Sequence, residues 1–202
     1  MPTTRIIFTY NLNSSILLAL NIKPTIMSSF SLYDATIPTA QNAFKSMTNI
    51  LREGEKHANA ASFPTARLAE DMNPLTYQVH IAAQLTEKMV ARFTGREPTT
   101  FEDNLSSFAE MYERIEIVQK VLEAADKETV NQRADHVQAT PLGPMNIDLS
   151  NTAYATAFTL PNLYFHLTTA YAILRKEGVP IGKRDYLMNF LAPHLPQAAG
   201  GN

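Results

Sequence analysis

Four long segments of this chain carry apolar residues at steps of three and four positions, which is the spacing of one face of an α-helix. The first segment covers about residues 34–60, and three more lie at about residues 74–93, after residue 103, and at about 151–176. The apolar stripe of the first segment consists of Ile37, Ala40, Phe44, Met47 and Leu51. Long helices of this kind, with one longer connection before the last, predict an all-α four-helix bundle.

Cap residues indicate where two of these helices begin. Asn73 before Pro74 predicts an N-cap followed by proline in the first turn of the second helix. Thr99 and Thr100 each stand three residues before an acid, Glu102 or Asp103, which predicts overlapping capping boxes for the third helix. The charges of the third helix are expected to face outward; they are Glu110, Glu113, Arg114, Glu116 and Lys120.

The region before the last helix breaks the helical spacing. The segments 136–140 and 145–149 flank a turn-rich centre, Pro141 to Pro144, which is suited to a small hairpin or an extended excursion. Beyond the last helix, an apolar patch at residues 186–191 is expected to pack back on the bundle. Residues 192–202 are interpreted as a flexible tail.

Composition limits the number of domains and the kinds of partner. A chain of 202 residues with 45% hydrophobic content predicts one domain, residues 31–191, after a leader or disordered extension at residues 1–30. A net charge of −2, from 17 basic and 19 acidic residues, predicts neither nucleic acid nor a membrane as partner. We expect a cytoplasmic protein, with organelle targeting through the leader as the alternative. The absence of cysteine excludes disulfides and cysteine-ligated zinc.

The last helix contains the stretch Leu160–Arg175, which is uncharged until its final residue and is expected to be largely buried. It carries His166, and His80 holds a similar central position in the second helix. A buried polar group without a partner costs about 1 to 3 kcal/mol, so each imidazole needs a hydrogen bond, a proton or a metal. In a bundle two such residues can converge, and imidazole is a common ligand of zinc, nickel and iron.

Two readings of these histidines remain open. They are metal ligands or an acid–base pair, or they are core residues that hydrogen-bond a neighbouring side chain. A third ligand would have to be a carboxylate such as Asp71, Glu87 or Asp103. Nearby polar residues are candidates to act with them: Tyr171 as a catalytic donor, and Asn162, Tyr77 and Tyr164 as substrate contacts. No nucleotide-binding, serine-hydrolase or EF-hand motif is present in the sequence.

Three stretches carry a family resemblance: SLYDATIPTAQNAF, ARLAEDMNPLTYQVHIAAQ and LPNLYFHLTTAYAILRKEGVPIGKRDYL. Over Ser31–Leu187 the chain resembles an uncharacterised, domain-of-unknown-function branch of the DinB/YfiT-like four-helix superfamily. The resemblance implies an up-down-down-up bundle, often dimeric. In the wider superfamily it also implies a divalent metal held by three histidines, one on the second helix and a His-x-x-x-His pair on the last.

Two of the three implied ligand positions are matched. His80 stands at the second-helix position and His166 at one member of the late pair, but Ala170 occupies the position of the third histidine. Members with complete triads include thiol-dependent transferases and isomerases. The sequence thus leaves two hypotheses. In one, a metal-assisted enzyme or binder uses a pocket around His80 and His166 to act on a small molecule; in the other, the chain is a non-catalytic, homodimeric structural or interaction protein with a degenerate metal site.

Overall fold

Seven α-helices and one β-hairpin make up the part of the chain that the structure describes. The structure, a computed structural model, describes residues 31–196, so the predicted leader and residues 197–202 lie outside the described range. The helices are α1 (Leu32–Glu55), α2 (Leu75–Thr94), α3 (Phe108–Glu123), α4 (Lys127–Gln132), α5 (Asn151–Ala153), α6 (Leu160–Lys176) and α7 (Lys183–Leu191). Strands β1 (Val137–Leu142) and β2 (Met145–Ser150) form the antiparallel hairpin. These elements confirm the predicted all-α class and the hairpin before the last long helix.

A π-helical segment, Tyr154–Thr159, joins α5 to α6, so the chain is helical without a break from residue 151 to residue 176. Short 3-10 turns lie at Ala60–Thr65 and Ala192–His194. Pro161 is the second residue of α6, one residue beyond the first residue after the π-helical segment. A proline has no N–H to donate, so the regular α-helical hydrogen bonding is interrupted at this point, and the π-helical segment lies next to the interruption.

Side-chain contacts fix the directions of the four long helices. Helices α1 and α3 run antiparallel, because Tyr112 contacts Glu55 and the later residue Gln119 contacts the earlier residue Gln41. Helix α2 likewise runs antiparallel to the helical stretch 151–176, as the contacts His166–Gln78 and Arg92–Asn151 show. Helices α2 and α3 run parallel, because their early residues meet at His80–Arg114 and their late residues Val90 and Val121 share a groove. The order is therefore up-down-down-up.

The core is formed by the predicted helical stripes. All five predicted residues of the α1 stripe are fully buried: Ile37, Ala40, Phe44, Met47 and Leu51. The stripe of α3 is buried as well, with Phe108, Met111, Ile115, Val118 and Leu122. Each of the larger side chains contributes about 1.5 to 3 kcal/mol by leaving water, so these stripes provide the main driving force for assembling the bundle.

Two predicted helix starts are wrong. Pro74, and not Asn73, is the N-cap of α2, and its backbone is extended there. Helix α3 is capped by Ser107 and Glu110, which bond each other's backbone amides in a capping box, and not by a box at Thr99 or Thr100. The stretch around residues 99–101 instead runs along α2, where its backbone amides bond buried side chains of that helix.

Helix α7, which carries the apolar patch at residues 186–191, packs back on the bundle, as predicted. Ser46 and Asn49 of α1 donate to the backbone carbonyls of Tyr186 and Asp185, at 2.6 and 3.2 Å. Helix α7 thereby lies against α1.

Helix α6 is less buried than its composition predicts. One face enters the core, but Phe165 is 57% exposed and Tyr164 37% exposed on the opposite side. The prediction of a largely buried helix is therefore wrong for this face: apolar composition without charges does not require burial on every side. Within residues 31–196, no helix has the length and apolar character needed to cross a membrane.

Candidate functional site

His80 contacts an arginine in the interior of the bundle. His80 is 6% exposed on α2, and Arg114 is 9% exposed on α3. The Arg114 Nη1 atom lies 2.9 Å from His80 Nδ1, and Nη2 donates to the backbone carbonyl of Glu102 at 3.1 Å. The guanidinium also lies 4.6 Å from the ring centre of Phe101. Arg114, expected from the sequence to face outward, is therefore buried.

This contact fixes the protonation state of His80. A guanidinium only donates hydrogen bonds, so His80 Nδ1 accepts and the neutral ring carries its proton on Nε2. Burial lowers the pKa of His80, Asp103 opposes that effect, and the Arg114 charge adds to it. His80 is thus a neutral imidazole without a free lone pair.

His166 bonds a different residue, on the other side of α2. Its Nδ1 atom lies 2.8 Å from Gln78 Oε1, while Gln78 Nε2 donates to the carbonyls of Asn73 and Pro74 at 2.9 and 3.3 Å. Because Gln78 Oε1 accepts, His166 Nδ1 carries the proton and Nε2 keeps its lone pair. Burial lowers the pKa of His166 to about 4.

The two histidines face different helices. Gln78 and His80 are two residues apart on α2, which places them about 200° apart around its axis. Gln78 accordingly bonds His166 on α6, whereas His80 bonds Arg114 on α3. Each imidazole thus makes a hydrogen bond through Nδ1 in a separate helix–helix contact.

These residues do not fit a histidine-ligated metal. A neutral imidazole binds a metal through an unprotonated nitrogen, and Arg114 occupies the only one that His80 has. Ala170, fully buried on α6, leaves His166 without the second member of its pair. Among residues 31–196, no three histidine or carboxylate side chains come together as ligands for an ion.

The carboxylates considered as third ligands lie elsewhere. Glu87 is buried in a bidentate pair with Arg96, at 2.6 and 2.7 Å, and accepts from the Thr99 amide. Burial raises the pKa of the Glu87 carboxyl, but these hydrogen bonds outweigh it and hold the pKa below its usual range. Asp71 and Asp103 are exposed, and Asp103 acts on His80 only through its charge.

The other predicted site residues divide into two groups. Tyr77 lies beside His80, with ring centres 6.3 Å apart. Tyr171 and Tyr164 instead contact the aromatic rings of α7, Tyr186 and Phe190, at 6.3 and 6.2 Å. Asn162 donates to the carbonyl of Phe158, one turn earlier in the π-helical segment, at 2.7 Å. The structure therefore brings Tyr77 to a histidine and places Tyr171, Tyr164 and Asn162 in other contacts.

Sequence reasoning missed the two hydrogen-bond partners, Arg114 and Gln78. A signal for Arg114 was present, because it lies three residues after Met111 and four before Val118, on the buried stripe of α3. A charged residue on an apolar stripe requires a partner inside the protein. Gln78 carries no comparable signal, since a lone glutamine is most often found at the surface.

The described helices and their directions define the class of this protein as a DinB-like four-helix bundle. The chain is similar to a DinB family member protein from Shewanella denitrificans whose crystal structure is known. The two sequences are 30% identical, the TM-score is 0.71, and the match covers 85% of this chain and 96% of that chain. A family model described as a domain of unknown function, DUF1993, matches residues 32–187. The chain belongs to this family. A comparison with curated proteins gives no match.

Proposed function

We propose that this chain is a metal-independent binding protein, in which His80 and His166 are structural residues and not reacting groups. One observation carries the metal independence: Arg114 donates to His80 Nδ1 inside the bundle. That hydrogen bond occupies the nitrogen that a metal or a transferred proton would need. The predicted ligand set is then a degenerate site in a bundle that keeps the fold.

The two histidine contacts have a structural consequence. His80 ties α2 to α3, and His166 ties α6 to the start of α2 through Gln78. A hydrogen bond to a charged group contributes about 1.5 to 3 kcal/mol, and a neutral one about 0.5 to 1.5 kcal/mol. The His166–Gln78 contact joins α6 to α2, the two helices that a metal joins in members with three histidines, whereas the His80–Arg114 contact joins α2 to α3.

The pKa of His166 supports the same conclusion. A general base works best with a pKa near the operating pH. Burial lowers the pKa of His166 to about 4, so its Nε2 is a weak base at neutral pH. The rival hypothesis is the metal-assisted enzyme, with His80 and His166 as ligands, Tyr171 as donor and Asn162, Tyr77 and Tyr164 at the substrate.

A pair of variants at His80 separates these hypotheses. His80→Leu leaves the buried Arg114 guanidinium without its acceptor, and we expect the free energy of unfolding to fall by about 2 to 3 kcal/mol. His80→Gln supplies a carbonyl oxygen that accepts from Arg114, and the expected loss is below about 1 kcal/mol. Urea unfolding at pH 7.5 measures both values. Equal losses in the two variants would show that the hydrogen bond to Arg114 does not explain the role of His80.

A further inference from the structure

A cationic cleft lies at the opposite end of α2 from His80. Its walls are the last turns of α2, strand β1 and the π-helical segment, and its volume is about 420 Å³. The charged residues of its lining are Lys88, Arg92, Arg96, Arg133 and Glu97. Tyr154 and Phe158 supply an aromatic wall, with ring centres 5.4 Å apart.

Two of the arginines are bonded to the protein. Arg92 donates to Asn151 Oδ1 and Thr140 Oγ1, at 2.8 and 2.9 Å, and lies over the Tyr154 ring at 4.5 Å. Arg96 pairs with the buried Glu87. These two side chains form the structural base of the cleft.

Arg133 differs from both. Its Nε atom is buried and has no hydrogen-bond partner among the described residues. The guanidinium packs on the backbone at Gly95, so closely that a Cβ there would lie 3.0 Å from Arg133 Cζ. Gly95 also has a φ of +74°, which disfavours any larger residue. Gly95 thus leaves room for a guanidinium that the protein itself does not fully satisfy.

The cleft has a surplus of positive charge. Glu87 offsets Arg96, and Glu97 is the carboxylate of the lining, which leaves Lys88, Arg92 and Arg133 with one acid between them. Lys88 is exposed at the rim, one helical turn before Arg92. The carboxyl end of α2 favours some positive charge, but the helix dipole is equivalent to only about half an elementary charge. The surplus of positive charge in a cleft with an aromatic wall favours an anionic ligand.

We propose that this cleft binds a small organic anion. Its oxyanion head group, a carboxylate or a phosphate, bonds Arg133 and Lys88, and its apolar part packs on Tyr154 and Phe158. Arginine recognises both head groups through paired N–H donors, and aromatic walls with a few polar groups are typical of small-molecule sites. This inference supplies a ligand class for the binding protein proposed above and rests on that proposal.

Calorimetric titration of the full chain with four probes tests the inference. The probes are phenyl phosphate, benzoate, inorganic phosphate and uncharged benzyl alcohol. We expect saturable binding of phenyl phosphate or benzoate, and weaker binding of benzyl alcohol. The tighter of the two aromatic anions identifies the head group as phosphate or carboxylate. Binding of none of the probes, or of benzyl alcohol as tightly as of the anions, would overturn the inference.

Variants locate the binding. Arg133→Met removes a guanidinium of the cleft, and we expect it to weaken binding of the anion at least about tenfold. Lys88→Met should weaken it by a smaller factor, and Lys56→Met, at an exposed ion pair with Glu53 on α1, should leave it unchanged. Anion binding that is equal in Arg133→Met and the parent would contradict the assignment.

The histidine variant keeps the two proposals distinguishable. His80→Gln should bind the anion as the parent does, because His80 lies at the other end of α2. Loss of anion binding in His80→Gln, with binding retained in Arg133→Met, would place the ligand at the histidines and contradict its assignment to the cleft. Stoichiometric metal in the parent would overturn metal independence and leave the cleft result intact.

Discussion

Replacement of Arg92 by methionine should lower the free energy of unfolding by about 3 to 4 kcal/mol. The Arg92 guanidinium holds the hairpin and the start of the last helix against α2. It donates to Asn151, Thr140 and the carbonyls of Gln138 and Leu149. Asn151 and Thr140 are buried, so their oxygens would lose a donor that water cannot readily replace.

Lys88→Met is the matched control, one turn earlier on the same helix. Lys88 is exposed, and we expect its substitution to change the free energy of unfolding by less than about 0.5 kcal/mol. Urea unfolding gives the stabilities, and hydrogen exchange at the β1 and β2 amides should show that the hairpin loses protection in Arg92→Met. A variant with unchanged stability and hairpin protection would show that Arg92 does not anchor the hairpin.

Acidification should destabilise the folded chain through His166. Burial lowers the pKa of His166 to about 4 from the ordinary value of 6.5, so the unfolded chain takes up the proton first. The stability from neutral His166 is therefore fully present above about pH 6.5 and is lost as the pH falls towards about 4. Between pH 7.5 and 4.5 the loss from this group should be about 2 to 3 kcal/mol.

His166→Asn provides the control, because its amide does not titrate and its nitrogen stands where His166 Nδ1 lies. Between pH 7.5 and 4.5, the free energy of unfolding should fall by about 2 to 3 kcal/mol less in this variant than in the parent. His80 acts in the same direction in both proteins, since burial also lowers its pKa. Parallel pH profiles for parent and variant would contradict a buried neutral His166.

The apolar stripes of α1 and α3 were predictable from the sequence, because they depend on spacing alone, but Arg114 on the α3 stripe was wrongly expected to face outward. The stripe from Ile37 to Leu51 on α1 is buried as predicted, and the hairpin lies on the segments that flank Pro141 and Pro144. Caps were less predictable. The Thr99 and Thr100 pattern matches a capping box as well as Ser107 does, and only tertiary contacts of the loop with Glu87 and Gln84 decide between them.

The candidate site was predictable only in part. His80 and His166 are buried, as their apolar neighbours indicate, but which atoms they bond depends on how α2, α3 and α6 pack. The cationic cleft has no local sequence pattern. The fold brings Lys88 on α2 together with Arg133 beyond α4 and Phe158 in the π-helical segment.

The metal content of untagged protein, purified without chelator, tests most directly whether His80 and His166 are structural residues. We expect elemental mass spectrometry to find zinc, nickel and iron together far below one atom per chain, in the parent and in His80→Ala/His166→Ala alike. The Arg114 donor at His80 and the alanine at position 170 are the reasons. Near-stoichiometric metal in the parent that disappears in the double variant would contradict this account and establish both histidines as ligands.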